Sequence, residues 1–203
     1  MEHPPVTAVV FDMGGVVVRL KPLGEVLAGL ELPHEELWER WIRADAVRVF
    51  ESGGSTVDEF ADSLIRELGV DREPVELIER FRGFPLGLFE GAERLLAETR
   101  ARCTTAVLSN TNELHWNTQP DHDVLQRSFD REYLSFRIGV VKPDAAIYEH
   151  AVDDLGVDAA QVLFLDDNQV NVDGARAAGL RSELARGPEQ ARAALVDHGV
   201  LDA

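Results

Sequence analysis

The stretch Val9-Val10-Phe11-Asp12-Met13-Gly14-Gly15-Val16-Val17-Val18 decides the fold. Its β-branched and aromatic residues predict a buried strand over 6–11, which delivers a carboxylate, Asp12, into a glycine turn that approaches another group closely. A carboxylate at such a turn can act as a nucleophile through a covalent acyl intermediate, but the same pattern also makes an ordinary turn. The residues downstream decide between these two interpretations.

The charge of the chain limits the class of partner. Among 203 residues, 37 are acidic and 20 basic, which gives a formal net charge of -17, and no basic cluster relieves it. This field argues against a nucleic acid or an anionic membrane as partner, and a phosphorylated substrate would need a local cation in its site. Because no signal peptide and no membrane-spanning apolar run is found, the sequence predicts a soluble cytoplasmic protein. It leaves the oligomeric state open.

Residues 22–84 have the apolar spacing of helices. Positions i, i+3, i+4 and i+7 predict a helix over 57–68, capped by Ser55 with Asp58. Two further apolar faces contain aromatic residues, which we expect to pack in a core rather than to line a ligand site. The first face is Leu37, Trp38, Trp41 and Ile42, and the second is Val75, Ile78 and Phe81.

Apolar runs alternate with helical patterns in the rest of the chain. Strands are predicted at 103–108, 133–135 and 162–165 and, more weakly, at 182–184. This order predicts an α/β fold with a doubly wound, Rossmann-like parallel sheet that helices cover on both faces. The single cysteine, Cys103, excludes an internal disulfide and a cysteine metal cluster, and it is expected to be a buried structural thiol.

The three strongest predicted strands end in polar groups, at Asp12, Ser109-Asn110 and Asp166-Asp167. Ligands of such sheets bind beyond the carboxyl ends of the strands, so these groups are expected to converge. Together with Lys142 they supply a nucleophile, donors for phosphoryl oxygens and acidic ligands for a hard cation, which is what phosphoryl transfer requires. The acidic pair would repel unless a cation lay between it and Asp12, and Mg²⁺ is the natural occupant.

Four motifs in this order resemble those of the haloacid dehalogenase superfamily of hydrolases. They are Asp12-Met13-Gly14-Gly15-Val16, Leu108-Ser109-Asn110-Thr111-Asn112, Val141-Lys142-Pro143-Asp144 and Phe164-Leu165-Asp166-Asp167-Asn168. The wording of the last three is most similar to the bacterial α-D-glucose-1-phosphate phosphatase type. The resemblance implies a Rossmann-like catalytic core at residues 1–16 and 86–203 and a small helical cap, 17–85, inserted after the first strand.

The resemblance also implies a metal site. Asp12 would be both the nucleophile and a ligand of Mg²⁺, to which Gly14 offers its carbonyl oxygen. Asp167 is expected to bind the ion directly, with Asp166 close by or bridging through water. Asn168, the next residue, is expected only to cap a helix.

By the same resemblance, Ser109 and the amide of Asn110 bind the phosphoryl group, and Lys142 neutralises the aspartyl phosphate. One position departs from the pattern. Phosphatases of the superfamily usually carry a second aspartate two residues after the nucleophile, which protonates the leaving group and then activates water. Gly14 stands at that position, which puts the rate and the substrate range in doubt.

Three functions therefore compete. The first is a Mg²⁺-dependent phosphatase acting on a small phosphorylated metabolite, for instance a sugar phosphate such as glucose 1-phosphate. The second is a 2-haloacid dehalogenase with Asp12 as nucleophile, for which a metal and an acidic pair would be superfluous. The third is a phosphatase-like binding or regulatory protein, motivated by the missing acid at Gly14. The converging carboxylates favour the first.

Overall fold

The computed structural model describes residues 4–27, 30 and 32–203. The strands in this part of the chain are β1 (Ala8–Phe11), β2 (Val18–Leu20), β3 (Pro85–Leu88), β4 (Thr104–Ser109), β5 (Arg131–Leu134), β6 (Val162–Asp166) and β7 (Arg181–Leu184). Five of them form a parallel sheet in the order β5-β4-β1-β6-β7, whereas β2 and β3 pair antiparallel in a ribbon of their own. The predicted doubly wound α/β fold is confirmed.

Helices connect these strands. They are α1 (Leu23–Val26), α2 (His34–Arg43), α3 (Asp45–Glu51), α4 (Val57–Leu68), α5 (Pro74–Arg82), α6 (Ala92–Arg100), α7 (Glu113–Thr118), α8 (His122–Ser128), α9 (Ser135–Ile138), α10 (Ala145–Leu155), α11 (Gln169–Ala177) and α12 (Gly187–Asp197). The first five lie between β2 and β3 in the chain. None of the helices in the described ranges is long and apolar enough to cross a membrane.

The central strands are buried on both faces. In β1, Val9 and Phe11 pack against α6 and α12, while Ala8 and Val10 pack on the opposite side against α10 and α11. A strand covered on both sides needs an apolar residue at every position, which is why the sequence shows a continuous run there rather than an alternation. Cys103, just before β4, is half-buried, and burial with the nearby Asp130 carboxylate raises the pKa of its thiol to about 11.

Helices α1 to α5 surround a separate apolar cluster. Phe50 stacks on Phe60 with ring centroids 4.4 Å apart, and Trp41 meets Phe60 edge to face at 6.2 Å. The prediction that these aromatic residues pack in a core is confirmed. Two of the predicted face positions are wrong, because the buried stripes of α2 and α5 are narrower than the sequence pattern suggests. Ile42 and Val75 are 51% and 64% exposed.

The cap of α4 lies one residue later than predicted. Thr56 accepts a hydrogen bond from the N–H of Glu59, and the Glu59 carboxylate accepts one from the N–H of Thr56. This reciprocal pair takes the place of Ser55 with Asp58. A capping box needs a side chain long enough to reach back one turn, which glutamate has and aspartate lacks.

The division into a core and a cap at residues 16/17 and 85/86 stays a prediction. Two features bear on it. The β2–β3 ribbon stands where the chain leaves the sheet and returns to it, and the buried residues of the α1–α5 cluster run from Leu23 to Phe84.

Candidate active site

The carboxyl ends of three neighbouring strands bring the predicted polar groups together. Asp12 directly follows β1, Ser109 is the last residue of β4, and Asp166 is the last residue of β6. Asp12, Asp166 and Asp167 each offer one carboxylate oxygen, and these oxygens lie within 4.8 Å of one another. The edge of the sheet therefore carries a compact acidic cluster, and Ser109 lies at the end of the strand next to it.

Lys142 reaches the same edge from the loop before α10. Its ammonium group donates hydrogen bonds to Asp12 Oδ1 at 2.7 Å, to Asp166 Oδ2 at 2.7 Å and to the Leu108 carbonyl at 3.0 Å. Burial lowers the pKa of this lysine, but the negative charges of Asp12 and Asp166 have the larger combined effect and hold the pKa above its ordinary value. Lys142 is thus a fixed cation, and it is the local positive charge that a phosphate group would need in a chain of this net charge.

Asn110 holds Lys142 in position. Its side-chain oxygen accepts the N–H of Lys142 at 2.8 Å, and its side-chain nitrogen donates to the Lys142 carbonyl at 3.0 Å. The side-chain amide is therefore engaged with Lys142 through both its oxygen and its nitrogen, and the backbone N–H of Asn110 is the donor expected for a phosphoryl group. Ser109 is 2% exposed, and among the described residues its hydroxyl makes a single long contact of 3.5 Å, with the Asn110 carbonyl.

Asp166 and Asp167 have different surroundings. Asp166 is fully buried, and its oxygens accept hydrogen bonds from Lys142, from the N–H of Asn168 at 2.8 Å and from the side chain of Asn171 at 3.0 and 3.1 Å. Asp167 is half-buried, and within the described ranges its carboxylate accepts no hydrogen bond from another residue. Asp167 consequently keeps free lone pairs, whereas those of Asp166 are largely used.

The two glycines after Asp12 have different tasks. Gly15 has φ +76°, and a Cβ there would lie 2.2 Å from Asp167 Oδ2. The close backbone approach expected from the sequence is confirmed at this residue. Gly14 lies outside the left-handed region, and a Cβ there would meet Leu20 Cδ1 at 2.9 Å. The position of the missing acid therefore faces an apolar side chain.

The acidic cluster carries more negative charge than Lys142 offsets. Burial raises the pKa of Asp12 to about 8, with Lys142 opposing the change and the two other carboxylates adding to it. Burial and Asp166 raise the pKa of Asp167 to about 6. Such shifts reflect the cost of crowding buried negative charges, which a divalent cation would relieve. Carboxylate oxygens are the ligands that Mg²⁺ prefers, so the donor set fits this ion.

Sequence reasoning missed two polar residues beside this cluster. Asn171, in the first turn of α11, holds Asp166, and the Arg186 charge counteracts part of the rise in the pKa of Asp167. Asn171 could have been predicted, because it is a polar residue about one turn after a carboxylate at a strand end. Nothing in the sequence links Arg186 to the site. Asn168 caps α11 as predicted, accepting the N–H of Val170 at 3.1 Å.

Known proteins resemble this chain along most of its length. The family model of haloacid dehalogenase-like hydrolases matches residues 6–179. "Phosphatase MT3486" of Mycobacterium tuberculosis is 29% identical over 94% of this chain and 92% of its own length. The D-ribitol-5-phosphate phosphatase of Bacteroides thetaiotaomicron is 27% identical over 81% of this chain and 84% of its own.

A solved structure has the same fold. The HAD family enzyme bt-2542 of Bacteroides thetaiotaomicron, in complex with magnesium and inorganic phosphate, superimposes with a TM-score of 0.70. The superposition covers 88% of this chain and 93% of that chain at 22% identity.

Proposed function

Because this chain belongs to the haloacid dehalogenase-like hydrolase family, we propose that it is a Mg²⁺-dependent phosphatase that acts on a small phosphorylated metabolite through an aspartyl-phosphate intermediate. The observation that carries the proposal is the contact of Lys142 with Asp12 and Asp166 inside the acidic cluster. Two relatives whose names describe phosphatases support the class. A sugar phosphate, glucose 1-phosphate for example, is the substrate that the motif wording favours.

The proposed reaction begins at Asp12. Its carboxylate attacks phosphorus in line with the leaving oxygen, and water then hydrolyses the aspartyl phosphate. The phosphoryl oxygens accept hydrogen bonds from the Ser109 hydroxyl and the backbone N–H of Asn110. Lys142 offsets the charge on the same oxygens. Because its ammonium group is already held in place, it needs no reorganisation during the reaction.

Asp12, Asp167 and the Gly14 carbonyl are the proposed direct ligands of Mg²⁺. The free lone pairs of Asp167 support this choice, since the oxygens of Asp166 are occupied by Lys142 and Asn171. When bound, the ion supplies positive charge that favours the ionised form of Asp12 and offsets the charge of the phosphate. Asp166 would then act mainly by holding Lys142.

We further propose that residues 17–85 form a cap over this edge of the catalytic core, 1–16 and 86–203. The separate apolar cluster of α1 to α5 supports it. An ion pair between Arg48 of α3 and Asp144, at the start of α10, also supports it, because this pair joins the cap to the loop that carries Lys142.

Hydrolysis of p-nitrophenyl phosphate by the parent and an Asp12→Asn variant tests the function. We expect Mg²⁺-dependent release that a chelator abolishes, and a loss in the variant of up to about six orders of magnitude. The amide keeps the shape of the carboxylate but is not a nucleophile. Variant activity within about tenfold of the parent contradicts the aspartyl-phosphate route.

The competing functions give other results. Metal-independent release of halide from a 2-haloacid would indicate a dehalogenase, and the lack of both reactions would indicate a binding protein. A screen of phosphorylated metabolites then identifies the substrate of the active enzyme.

A further inference from the structure

The structure shows no proton donor at the position where phosphatases of this family usually have one. Gly14 has no side chain, and the space beside it is filled by Leu20. A leaving group that departs as a poorly stabilised anion needs a proton, and general acid catalysis typically contributes about 10²- to 10⁴-fold. A carboxyl group on another element that reaches this edge of the sheet would supply this proton.

Helix α3 ends against the loop that follows β4. Its last residue, Glu51, accepts a hydrogen bond at its carbonyl from Ser135 Oγ at 2.6 Å. Ser135 Oγ in turn accepts the N–H of Thr111 at 2.9 Å. One hydroxyl thus joins the end of α3 to the segment directly after Ser109 and Asn110.

The same end of α3 is fixed to the core at two more points. Arg48, about one turn before the helix end, forms an ion pair with Asp144, two residues after Lys142. Gly53, just beyond the helix, has φ +75° and lies so close to the core that a Cβ would come within 2.4 Å of the Phe136 carbonyl. The end of α3 is therefore held next to both the β4 loop and the Lys142 loop.

The Glu51 carboxyl group has no polar partner among the described residues. It is half-buried, and within the described residues it accepts no hydrogen bond and forms no ion pair. Glu67 of α4 differs in this respect, because its carboxylate accepts hydrogen bonds from the backbone N–H groups of Asp45 and Ala46. Burial raises the pKa of Glu51 to about 7 although the Lys142 charge, acting from the site, lowers it in part.

We propose that Glu51 protonates the leaving group and then activates water, in the role that Gly14 cannot fill. This inference rests on the phosphatase function proposed above. In the first half-reaction Asp12 Oδ bonds to phosphorus, the bond from phosphorus to the leaving oxygen breaks, and that oxygen takes the proton of the Glu51 carboxyl group. The leaving group departs as an alcohol.

In the second half-reaction the Glu51 carboxylate takes a proton from water. The water oxygen attacks phosphorus, the bond from phosphorus to Asp12 Oδ breaks, and inorganic phosphate leaves. One monoester and one water have become one alcohol and one phosphate, and Glu51 is again protonated.

Two aryl phosphates of similar shape test the proposal on Glu51→Gln with saturating Mg²⁺. For p-nitrophenyl phosphate, whose leaving group is stable as an anion, we expect kcat/KM within about threefold of the parent, because that step hardly needs an acid. For phenyl phosphate, whose leaving group has a pKa of about 10, we expect a loss of about 10²-fold, at the lower end of the general-acid range.

Rapid mixing gives a second signature. With p-nitrophenyl phosphate, Glu51→Gln should release about one nitrophenolate per active site in a burst and then turn over slowly, because water is no longer activated. Glu39→Gln, the same change at an exposed residue of α2, should match the parent on both substrates. Glu51→Asp, which keeps the carboxyl group, should recover part of the lost activity.

Two outcomes overturn the inference while the function stands. One is an active parent whose Glu51→Gln variant keeps phenyl phosphate hydrolysis within about threefold. The other is an equal loss on both substrates without a burst, at an unchanged melting temperature, which assigns Glu51 to substrate binding instead. If the parent itself shows no Mg²⁺-dependent hydrolysis, the phosphatase function fails and the role of Glu51 fails with it.

Discussion

Gly15, in the turn after β1, packs directly against the side chain of Asp167. An alanine at position 15 would have to adopt φ +76°, and its Cβ would lie 2.2 Å from Asp167 Oδ2. We expect Gly15→Ala to lower the free energy of unfolding by about 1–2 kcal/mol. It should also weaken Mg²⁺ binding about tenfold or more, because Asp167 must move. Urea denaturation and titration calorimetry measure the two effects.

The neighbouring glycine provides the control for this prediction. In Gly14→Ala the new Cβ would meet only the tip of the Leu20 side chain at 2.9 Å, and the backbone lies outside the left-handed region. Leu20 can rotate away and alanine keeps the backbone carbonyl that is the proposed ligand, so the Mg²⁺ affinity should stay close to that of the parent. If Gly15→Ala bound Mg²⁺ as tightly as the parent, the choice of Asp167 as a ligand would be wrong.

Variants of Asp166 and Asp167, at the end of β6, should affect different properties of the protein. Asp167→Asn should weaken Mg²⁺ binding in calorimetry and leave the fold intact, because this carboxylate accepts no hydrogen bond from another of the described residues. Asp166→Asn breaks a buried pair with Lys142 and should cost about 3 kcal/mol or more of stability. The opposite pattern, with Mg²⁺ affinity lost only in Asp166→Asn, would exchange the two roles.

At the scale of elements, α7 connects the β4 loop with α5. His115 donates from Nε2 to the Phe81 carbonyl at the end of α5 at 2.7 Å, and its Nδ1 accepts from the Asn112 side chain at 3.3 Å. Asn112 also caps α7. The ring packs on Phe81 with centroids 4.1 Å apart. Both ring nitrogens are engaged in the neutral form, so a second proton would break the contact with Asn112.

This contact predicts a pH dependence of stability. Burial lowers the pKa of His115 from 6.5 to about 4. Below pH 6.5 the unfolded chain therefore takes up a proton that the folded chain does not bind until about pH 4, so stability is lost as the pH falls through this window. The contribution of His115 to this loss is about 3 kcal/mol. Urea denaturation of the parent and of His115→Gln between pH 7 and pH 4 measures this contribution as a difference, because the raised pKa values of Glu51 and Asp167 act in the opposite direction.

Two histidine variants isolate this effect. His115→Gln should be less stable than the parent at pH 7, and the difference should shrink as the pH falls to 4. His150→Gln, at an exposed residue of α10, should keep the pH dependence of the parent. If His115→Gln and the parent lost stability in parallel, the histidine would not titrate in this window.

The elements that the sequence predicts well are those with a strong local pattern. The central strands β1, β4 and β6 carry apolar residues on both faces, and α4 has a complete amphipathic repeat. The β2–β3 ribbon escapes prediction because β3 contains Pro85 and Gly87 and pairs with residues more than sixty positions away. Register over such a separation depends on tertiary packing.

The same limit applies to the site. Its residues at the strand ends can be predicted because a parallel sheet brings all carboxyl ends to one edge. The hydrogen bonds of each polar atom cannot be predicted from the sequence, because Asn110 and Asp166 both bind Lys142, which is distant in the chain. Glu51 gives no signal at all, because it is one acidic residue among many in helices α1 to α5.

At the scale of the whole molecule, a net charge of -17 makes any specific cation site stabilising. A ligand that binds only the folded state at about 100 times its Kd adds about 2.7 kcal/mol to the free energy of unfolding. For a chain of this size that corresponds to a rise in Tm of roughly 5–10 °C. We expect such a rise on adding Mg²⁺ and its reversal by a chelator, measured by thermal unfolding.

Proton competition and screening give the controls for this prediction. The raised pKa values of Asp12 and Asp167, about 8 and about 6, mean that Mg²⁺ must displace protons. The rise in Tm should therefore be smaller at pH 6 than at pH 8. It should be lost in Asp167→Asn, which keeps nearly the same net charge. If NaCl at matched ionic strength raised the Tm of the parent as much as Mg²⁺ does, the ion would act by screening the surface charge, and the acidic cluster would not be its site.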